Sequence, residues 1–435
     1  MTNASDTKDS LSAPAQNSTE PVKRNSWRRL APMVAAYSLG TFNDNFFKQI
    51  VLFLAIAAGL ESIQSLGTVL YALPFIFCSA WAGWLADRVP KQRLMFWAKA
   101  LEVAAAVVGV LSLYFMSFTG MVGMIFIMAV QSTLFSPAIN GAIPENFTTS
   151  GVPAANAVLK MSTTASVLCG IALAGMVLDA PATAWFTEAR IAFGKAAAGA
   201  ITLFTAAAGL AAVSALPRKA APPSSGAAFP WWGAFDSLRH AHEFWRADRL
   251  LLLALLAEAY FYFMGALAVL IINNLGITEY KLSQTYTSYL SAAMMIGICA
   301  GSLTASRISA QKWRRSFVPA GLLMAATFLA VPAAQFLPPY THFGSLLGLF
   351  LLTGAGGGFF LIPTVSFIQI RPPVNARGKT LGVSNFLSFC GVALSGAMFL
   401  PLSPLPPSWG LFACGMITLL FLVFMSRQFT KCGNC

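Results

Sequence analysis

Gly40-Thr41-Phe42-Asn43-Asp44-Asn45-Phe46-Phe47-Lys48-Gln49 stands in the middle of an otherwise apolar run from Leu30 to Gly59. As a helix the run is about 45 Å long, enough to cross a bilayer with Asp44 near the centre of the hydrocarbon. At about 100° per residue, Tyr37, Thr41, Asp44, Asn45, Lys48 and Gln49 share an arc of about 140°, whereas Phe46 and Phe47 point elsewhere. A charge at the bilayer centre costs about 2.5–3.5 kcal/mol on insertion scales, so this face is expected to look into a bundle or a watery cavity. An Asp44–Lys48 pair at i, i+4 that glues helices together is the plainer reading. It leaves the amides of Asn43, Asn45 and Gln49 without an account.

The rest of the chain extends this pattern. Of 435 residues 57% are hydrophobic and 10% charged, with a mean hydropathy of +0.68, as expected of an all-α integral membrane protein. The net charge of +13 by itself suggests nucleic acid, but its placement argues against that class. On the spans given below, 22 of the 28 Lys and Arg lie on one side, three (Arg190, Lys195, Lys281) on the other, and three (Lys48, Lys99, Lys160) within spans. The positive-inside rule then puts both termini in the cytoplasm.

The expected spans are 30–59, 63–86, 94–116, 119–142, 152–178 and 191–215, then 250–275, 282–306, 316–337, 343–369, 379–401 and 407–428. The organisation is therefore a disordered cytoplasmic tail (1–29), an N-terminal six-helix half (30–216), a cytoplasmic linker (217–249), a C-terminal six-helix half (250–428) and a C-terminal tail (429–435). Within the linker, Trp231 to Trp245 mixes aromatics with Arg239, His240 and Arg246 and is expected at the membrane surface. Cys169-Gly170-Ile171-Ala172-Leu173-Ala174-Gly175 matches Cys390-Gly391-Val392-Ala393-Leu394-Ser395-Gly396, and Gly83-x-Leu85 matches Gly301-x-Leu303 at nearly the same offset, which points to a duplicated six-helix unit. Cys432 and Cys435 make a single C-x-x-C, a weak metal or redox signal.

Gly83-Trp84-Leu85-Ala86-Asp87-Arg88-Val89-Pro90-Lys91-Gln92-Arg93 resembles the loop 2–3 signature of the major facilitator superfamily, with Pro90 in place of the second glycine and the basic pair displaced to Lys91 and Arg93. The resemblance implies that Gly83 permits close helix contact. It also implies that Asp87, Arg88 and Arg93 form a gating network joining the halves on the cytoplasmic side when the cavity opens outward.

Phe42-Asn43-Asp44-Asn45, Phe135-Ser136-Pro137-Ala138 with Gly141 and Pro144-Glu145, Gly357-Gly358-Phe359-Phe360 with Pro363, and Leu275-Gly276-Ile277-Thr278 are similar to one branch, the bacterial lysophospholipid transporters and the transporter domain fused to acyl-ACP-dependent acyltransferases. The chain departs from that pattern at Ile139, where a Lys is expected, and at Lys160, where an acid is common. The resemblance implies a multi-pass protein of the bacterial inner membrane that moves lysophospholipids such as lysophosphatidylethanolamine from the periplasmic to the cytoplasmic leaflet by alternating access, for reacylation. A cytoplasmic acyl-ACP-dependent acyltransferase is the implied partner.

A zwitterionic or anionic headgroup needs both signs of charge, which Asp44, Lys48, Lys160 and Glu258 supply. The expected substrate site adds Asn43, Asn45, Tyr260 and Tyr262, the tyrosines as a cation–π surface or an acyl path. Lys99 and Glu102 read instead as a structural pair that snorkels. Gly354-Ala355-Gly356-Gly357-Gly358 lacks the Lys-Ser/Thr of a phosphate loop and reads as a place of close helix approach. No metal, cofactor or catalytic constellation is expected, so the chain reads as a carrier and not as an enzyme. Two alternatives stay open, a proton-coupled exporter of drugs, siderophores or other amphiphiles and a non-transporting platform for an acyltransferase.

Overall fold

The computed structural model describes residues 27–148, 151–180, 190–217, 228–308, 312–373 and 377–431. Among these residues the chain is helical: α1 (Trp27–Ala57), α2 (Glu61–Phe77), α3 (Ser79–Ala86), α4 (Lys91–Tyr114), α5 (Phe118–Asn146), α6 (Val152–Leu178), α7 (Arg190–Ser214), α8 (Gly233–Ala247), α9 (Arg249–Asn274), α10 (Gln284–Ala305), α11 (Trp313–Ala330), α12 (His342–Ile370), α13 (Arg377–Leu402) and α14 (Pro407–Lys431). Ten helices are long and apolar enough to cross a membrane, and α2 with α3 makes an eleventh when counted as one span bent by 46°. The bend falls where Pro74 removes an N–H from the ladder and the Ser79 hydroxyl donates to the Phe75 carbonyl. α1 is 31 residues long, but its polar stretch lowers its hydropathy and keeps it outside that group. The N-terminal tail up to residue 26, linker residues 218–227 and the Cys432–Cys435 pair lie outside the described residues.

Buried apolar side chains gather into separate cores. Two are built from Leu30 to Leu216, around Phe46, Phe47 and Met124 and around Leu94, Phe135 and Ile139. A larger one is built from Leu250 to Phe429, around Phe317, Phe328 and Phe360, and takes in Leu52 from α1. Its aromatic centre is close-packed, with Tyr260 stacked on Phe421 at 3.8 Å and Phe317 tilted against Phe360 at 4.6 Å. α10 and α12 approach backbone to backbone. Gly297 and Gly301 lie on Leu351 and Ala355, and Gly354 and Gly358 lie on Met294 and Ile298, where a β-carbon has no room. The glycine-rich run is therefore a packing surface.

The repeated heptapeptides occupy equivalent places. Gly170 of α6 crosses α1 with the Phe42 carbonyl 2.8 Å and the Phe46 nitrogen 3.1 Å from where its β-carbon would stand. Gly391 of α13 crosses α9 in the same way, against the Ala259 carbonyl and the Phe263 nitrogen.

Successive spanning helices alternate in direction, so one end of the molecule carries Trp27 and Lys431 and the far end carries the α1–α2 turn. Polar contacts between the two groups of helices concentrate at the far end. Gln49 and Asn273 exchange two amide hydrogen bonds (2.9 and 3.3 Å), as do Gln64 and Asn274 (3.5 and 2.8 Å). Ser65 donates to the Gly396 carbonyl at 2.7 Å, and the Asp179 carboxylate accepts from the Thr285 N–H at 2.6 Å, capping α10 from the end of α6. Nearer the other end, Phe75 stacks on Phe389 at 3.9 Å and Asn385 donates to Ser79 at 3.3 Å.

Candidate substrate site

Each polar residue of the α1 stretch reaches a different neighbour. Asn43 is fully buried and donates to Glu102 on α4 and to the Thr202 carbonyl on α7, both at 3.3 Å. Asp44 accepts from Ser132 of α5 at 2.6 Å, and Gln131 in turn donates to Ser132 at 2.7 Å. The second Asp44 oxygen is buried without a hydrogen-bond partner. Asn45 donates to the Thr41 carbonyl at 2.8 Å, beside the Gly170 crossing. Lys48 lies over the Tyr71 ring of α2, 4.9 Å from its centroid, and Tyr37 stacks on Phe135 at 5.7 Å.

Asp44 and Lys48 thus turn toward different helices, α5 and α2. Among the described residues no ion pair within 4.0 Å involves either of them. A simple helix-gluing pair is not what the chain has built.

Lys99 and Glu102 do pair, at 2.5 Å, but at 1% and 0% exposure they do not snorkel. Gly40 of α1 and Gly209 of α7 lie against Lys99, closing over the charges and holding them inside the protein. Asn43 is the link between this pair and the polar face that carries Asp44.

Lys160 is exposed. On a 100° wheel it falls about 80° from Gly170, which faces α1, and about 60° from Gly175, which faces α10. The direction between those two contacts is the interior between the N-terminal and C-terminal helices. Along α6, Lys160 is ten residues, or about 15 Å, from the Gly170 crossing, toward the end with the termini.

Glu258 is buried and accepts from Ser384 of α13 at 2.5 Å. Tyr262, one turn along the same face, is 38% exposed. Tyr260 points the opposite way, into the C-terminal core, where it donates to Thr418 at 2.7 Å. The structure therefore groups Asp44, Asn45 and Lys48 on one helix and Glu258 with Tyr262 on another. It puts Asn43 and Tyr260 into the interiors of their own bundles. Ser132, Gln131, Tyr71 and Ser384 complete these surroundings; the polar Gln131-Ser132 step inside the apolar α5 was the signal available for two of them.

At the end with the termini, Asp87 and Arg93 are exposed and have no side-chain partner among the described residues. Arg88 covers the Trp84 ring at 4.0 Å, and among the described residues Gly83 makes no close helix contact, with nothing within 4 Å of where a β-carbon would stand. Lys91 instead forms an ion pair with Glu145 across α4 and α5 and lies against Gly141, which accounts for two residues of the α5 motif.

Residues 31–397 match the family model of the Major Facilitator Superfamily. The chain belongs to this superfamily. Among its curated relatives is the lysophospholipid transporter LplT of Enterobacter sp. (strain 638), 26% identical over 381 residues, 85% of this chain and 86% of the relative. LplT of Pectobacterium carotovorum subsp. carotovorum (strain PC1) is 25% identical over 403 residues, 88% of this chain and 87% of the relative. Solved superfamily folds agree over nearly the whole length. A POT family transporter in complex with a thioalcohol conjugated peptide superposes with a TM-score of 0.69 at 13% identity, covering 94% of this chain and 98% of its own. A bacterial homologue of the human lysosomal transporter Spinster, in an inward-facing and unoccupied conformation, does so at 0.65 and 14%, covering 93% and 96%. At these identities the structures speak to the fold alone. The chain is a multi-span membrane transporter of this superfamily.

Proposed function

We propose that this carrier moves lysophospholipids, lysophosphatidylethanolamine among them, from the periplasmic to the cytoplasmic leaflet of a bacterial inner membrane, where they are reacylated. In this reading twelve spans form two six-helix halves with both termini in the cytoplasm. The observation that carries it is the state of Asp44 and Lys48, two opposite charges on one buried face that do not neutralise each other. Among the described residues one Asp44 oxygen has no donor, and half-buried Lys48 lies over the Tyr71 ring with no ion pair within 4.0 Å. A zwitterionic headgroup supplies both missing partners, its ammonium for Asp44 and its phosphate for Lys48. Kinship with the LplT transporters supports the same substrate class.

Lys160 and Arg93 then mark the route to the cytoplasmic side, and Glu258 with Tyr262 faces the headgroup from the other half. Alternating access follows from the asymmetry of contacts. The far end is held by amide pairs and the Asp179 cap, while Asp87 and Arg93 await partners in the opposite state.

Uptake of labelled lysolipid into proteoliposomes tests this. Asp44→Asn is expected to abolish flux with the fold intact, and Lys160→Glu to reduce it; unchanged rates in both variants refute the assigned site. A proton-coupled exporter of amphiphiles is the second reading. It is favoured by the holding of both Asp44 and Glu258 by hydroxyls and not by cations, and dependence of flux on a proton gradient, with no lysolipid uptake, would select it. A platform that recruits an acyltransferase predicts no flux at all.

A further inference from the structure

α8, 15 residues long, is too short to cross the membrane and yet ties together helices from both ends of the sequence. On the N-terminal side, Trp81 donates from its indole to the Pro230 carbonyl at 2.9 Å, Phe229 meets Trp84 edge-on at 5.1 Å, and Gly233 lies against Ala80. On the C-terminal side, Glu243 pairs with Lys379 of α13 at 2.5 Å, and Phe244 packs on the C-terminal core. Just beyond α8, Asp248 pairs with Arg371 at 2.9 Å and caps α9 through the Leu251 N–H. α8 is therefore a strut between α2–α3 and α13, at the end that carries exposed Asp87 and Arg93.

Among the described residues nothing covers its other face. Phe235, Leu238 and Trp245 form an exposed stripe within about 80° of arc, with exposed His242 among them, and Trp231, at 74% exposure, and Trp232 stand in the turn just before the helix. Arg239 and Arg246 run along one edge of that stripe. Arg239 also touches Glu243 at 3.3 Å, but Glu243 already holds Lys379, so its charge does not cancel both cations. Aromatic rings beside arginines on a short surface helix are the chemistry of the bilayer interface, the rings seated at headgroup depth and the guanidiniums on lipid phosphates. At the ends of the spans this helix lies beside the headgroups of its own bilayer, which makes lipid the occupant at hand.

We infer that the Trp231–Trp245 face of α8 binds the anionic headgroups of the leaflet on the side of the termini, and that its two attachments transmit the charge of that leaflet to the spacing between α3 and α13. Two arginines at an anionic surface strengthen binding about 30-fold together. Transport thereby becomes faster or slower with lipid charge at a site distinct from the substrate.

The test uses the full chain in vesicles of phosphatidylcholine alone or with a third of phosphatidylglycerol. Backbone hydrogen exchange over residues 229–247 is expected to slow at least tenfold in the anionic vesicles for wild type, and not for Arg239→Gln/Arg246→Gln. The rate of lysolipid uptake is expected to change at least twofold between the two vesicles for wild type and to be equal for the double variant. Exchange indifferent to lipid charge, or a variant that responds as wild type does, overturns the surface. A change in exchange with no change in rate overturns the coupling. The uptake arm rests on the carrier reading; the exchange arm needs no substrate, so failure of one is distinguishable from failure of the other.

Discussion

The two glycine crossings, α6 on α1 and α13 on α9, have the same backbone geometry and opposite chemistry around it. On the N-terminal side the crossing is wrapped in charge and amide: Lys99 and Glu102 buried as a pair, Asn43 bonded to Glu102, Asp44 on Ser132. On the C-terminal side it is wrapped in rings, with Tyr260 on Phe421 and Phe317 on Phe360, and Glu258 on Ser384 is the one buried carboxylate there among the described residues. A duplicated frame has thus been filled in two ways. One copy gathers polar groups whose desolvation is offset only by specific partners, and the other is stabilised by dispersion and burial. Selectivity for a headgroup belongs with the first filling, and rigidity with the second.

The comparison breaks or holds on stability first. Lys99→Ala strands Glu102 in the interior and is expected to cost about 3–5 kcal/mol, while Lys99→Met/Glu102→Met recovers most of the loss because no orphan charge remains. Phe317→Ala on the other side is expected to cost about 3–5 kcal/mol through its cavity, with no charge-balancing second substitution to restore it. Thermal unfolding in detergent reads both; a double variant no better than the single would mean that the pair is held for its packing alone. Next, Gly170→Val and Gly391→Val should each cost about 1–3 kcal/mol, since both push a side chain into a carbonyl of the crossing helix. Unequal losses would show that the two crossings are not mechanically equivalent. Smallest is the effect of removing one hydroxyl: Tyr260→Phe loses the bond to Thr418, about 1 kcal/mol, with uptake unchanged. Tyr262→Phe is expected to leave melting unchanged and alter the KM for lysolipid.

Much of this contrast was written in the chain. The polar decad in an apolar run, the heptapeptide repeat and the glycine-rich run of α12 could be read because each sets a spacing that only a helix in contact with another helix can use. The burial of Lys99 and Glu102 could not, because an i, i+3 pair near the start of an apolar helix has the same local pattern whether it faces lipid headgroups or a neighbour; Gly40 and Gly209, distant in sequence, close over it. Tyr260 and Tyr262 are two residues and therefore about 200° apart, so one had to face inward, and no local signal says which. The Asp44–Ser132 bond spans 88 residues and depends on how α1 and α5 settle together.

The far-end seal made by Gln49, Asn273, Gln64 and Asn274 consists of neutral carboxamides, and among the described residues no ion pair joins the two groups of helices there. Parting those amides carries no ionised side chain of theirs across the electric field of an energised membrane, whereas a net charge displaced through that field gains or loses about 2.3 kcal/mol per 100 mV. Voltage therefore acts on the cargo, on the charges beside it and on the Asp179 carboxylate that caps α10 at the same end, and leaves the amide pairs indifferent.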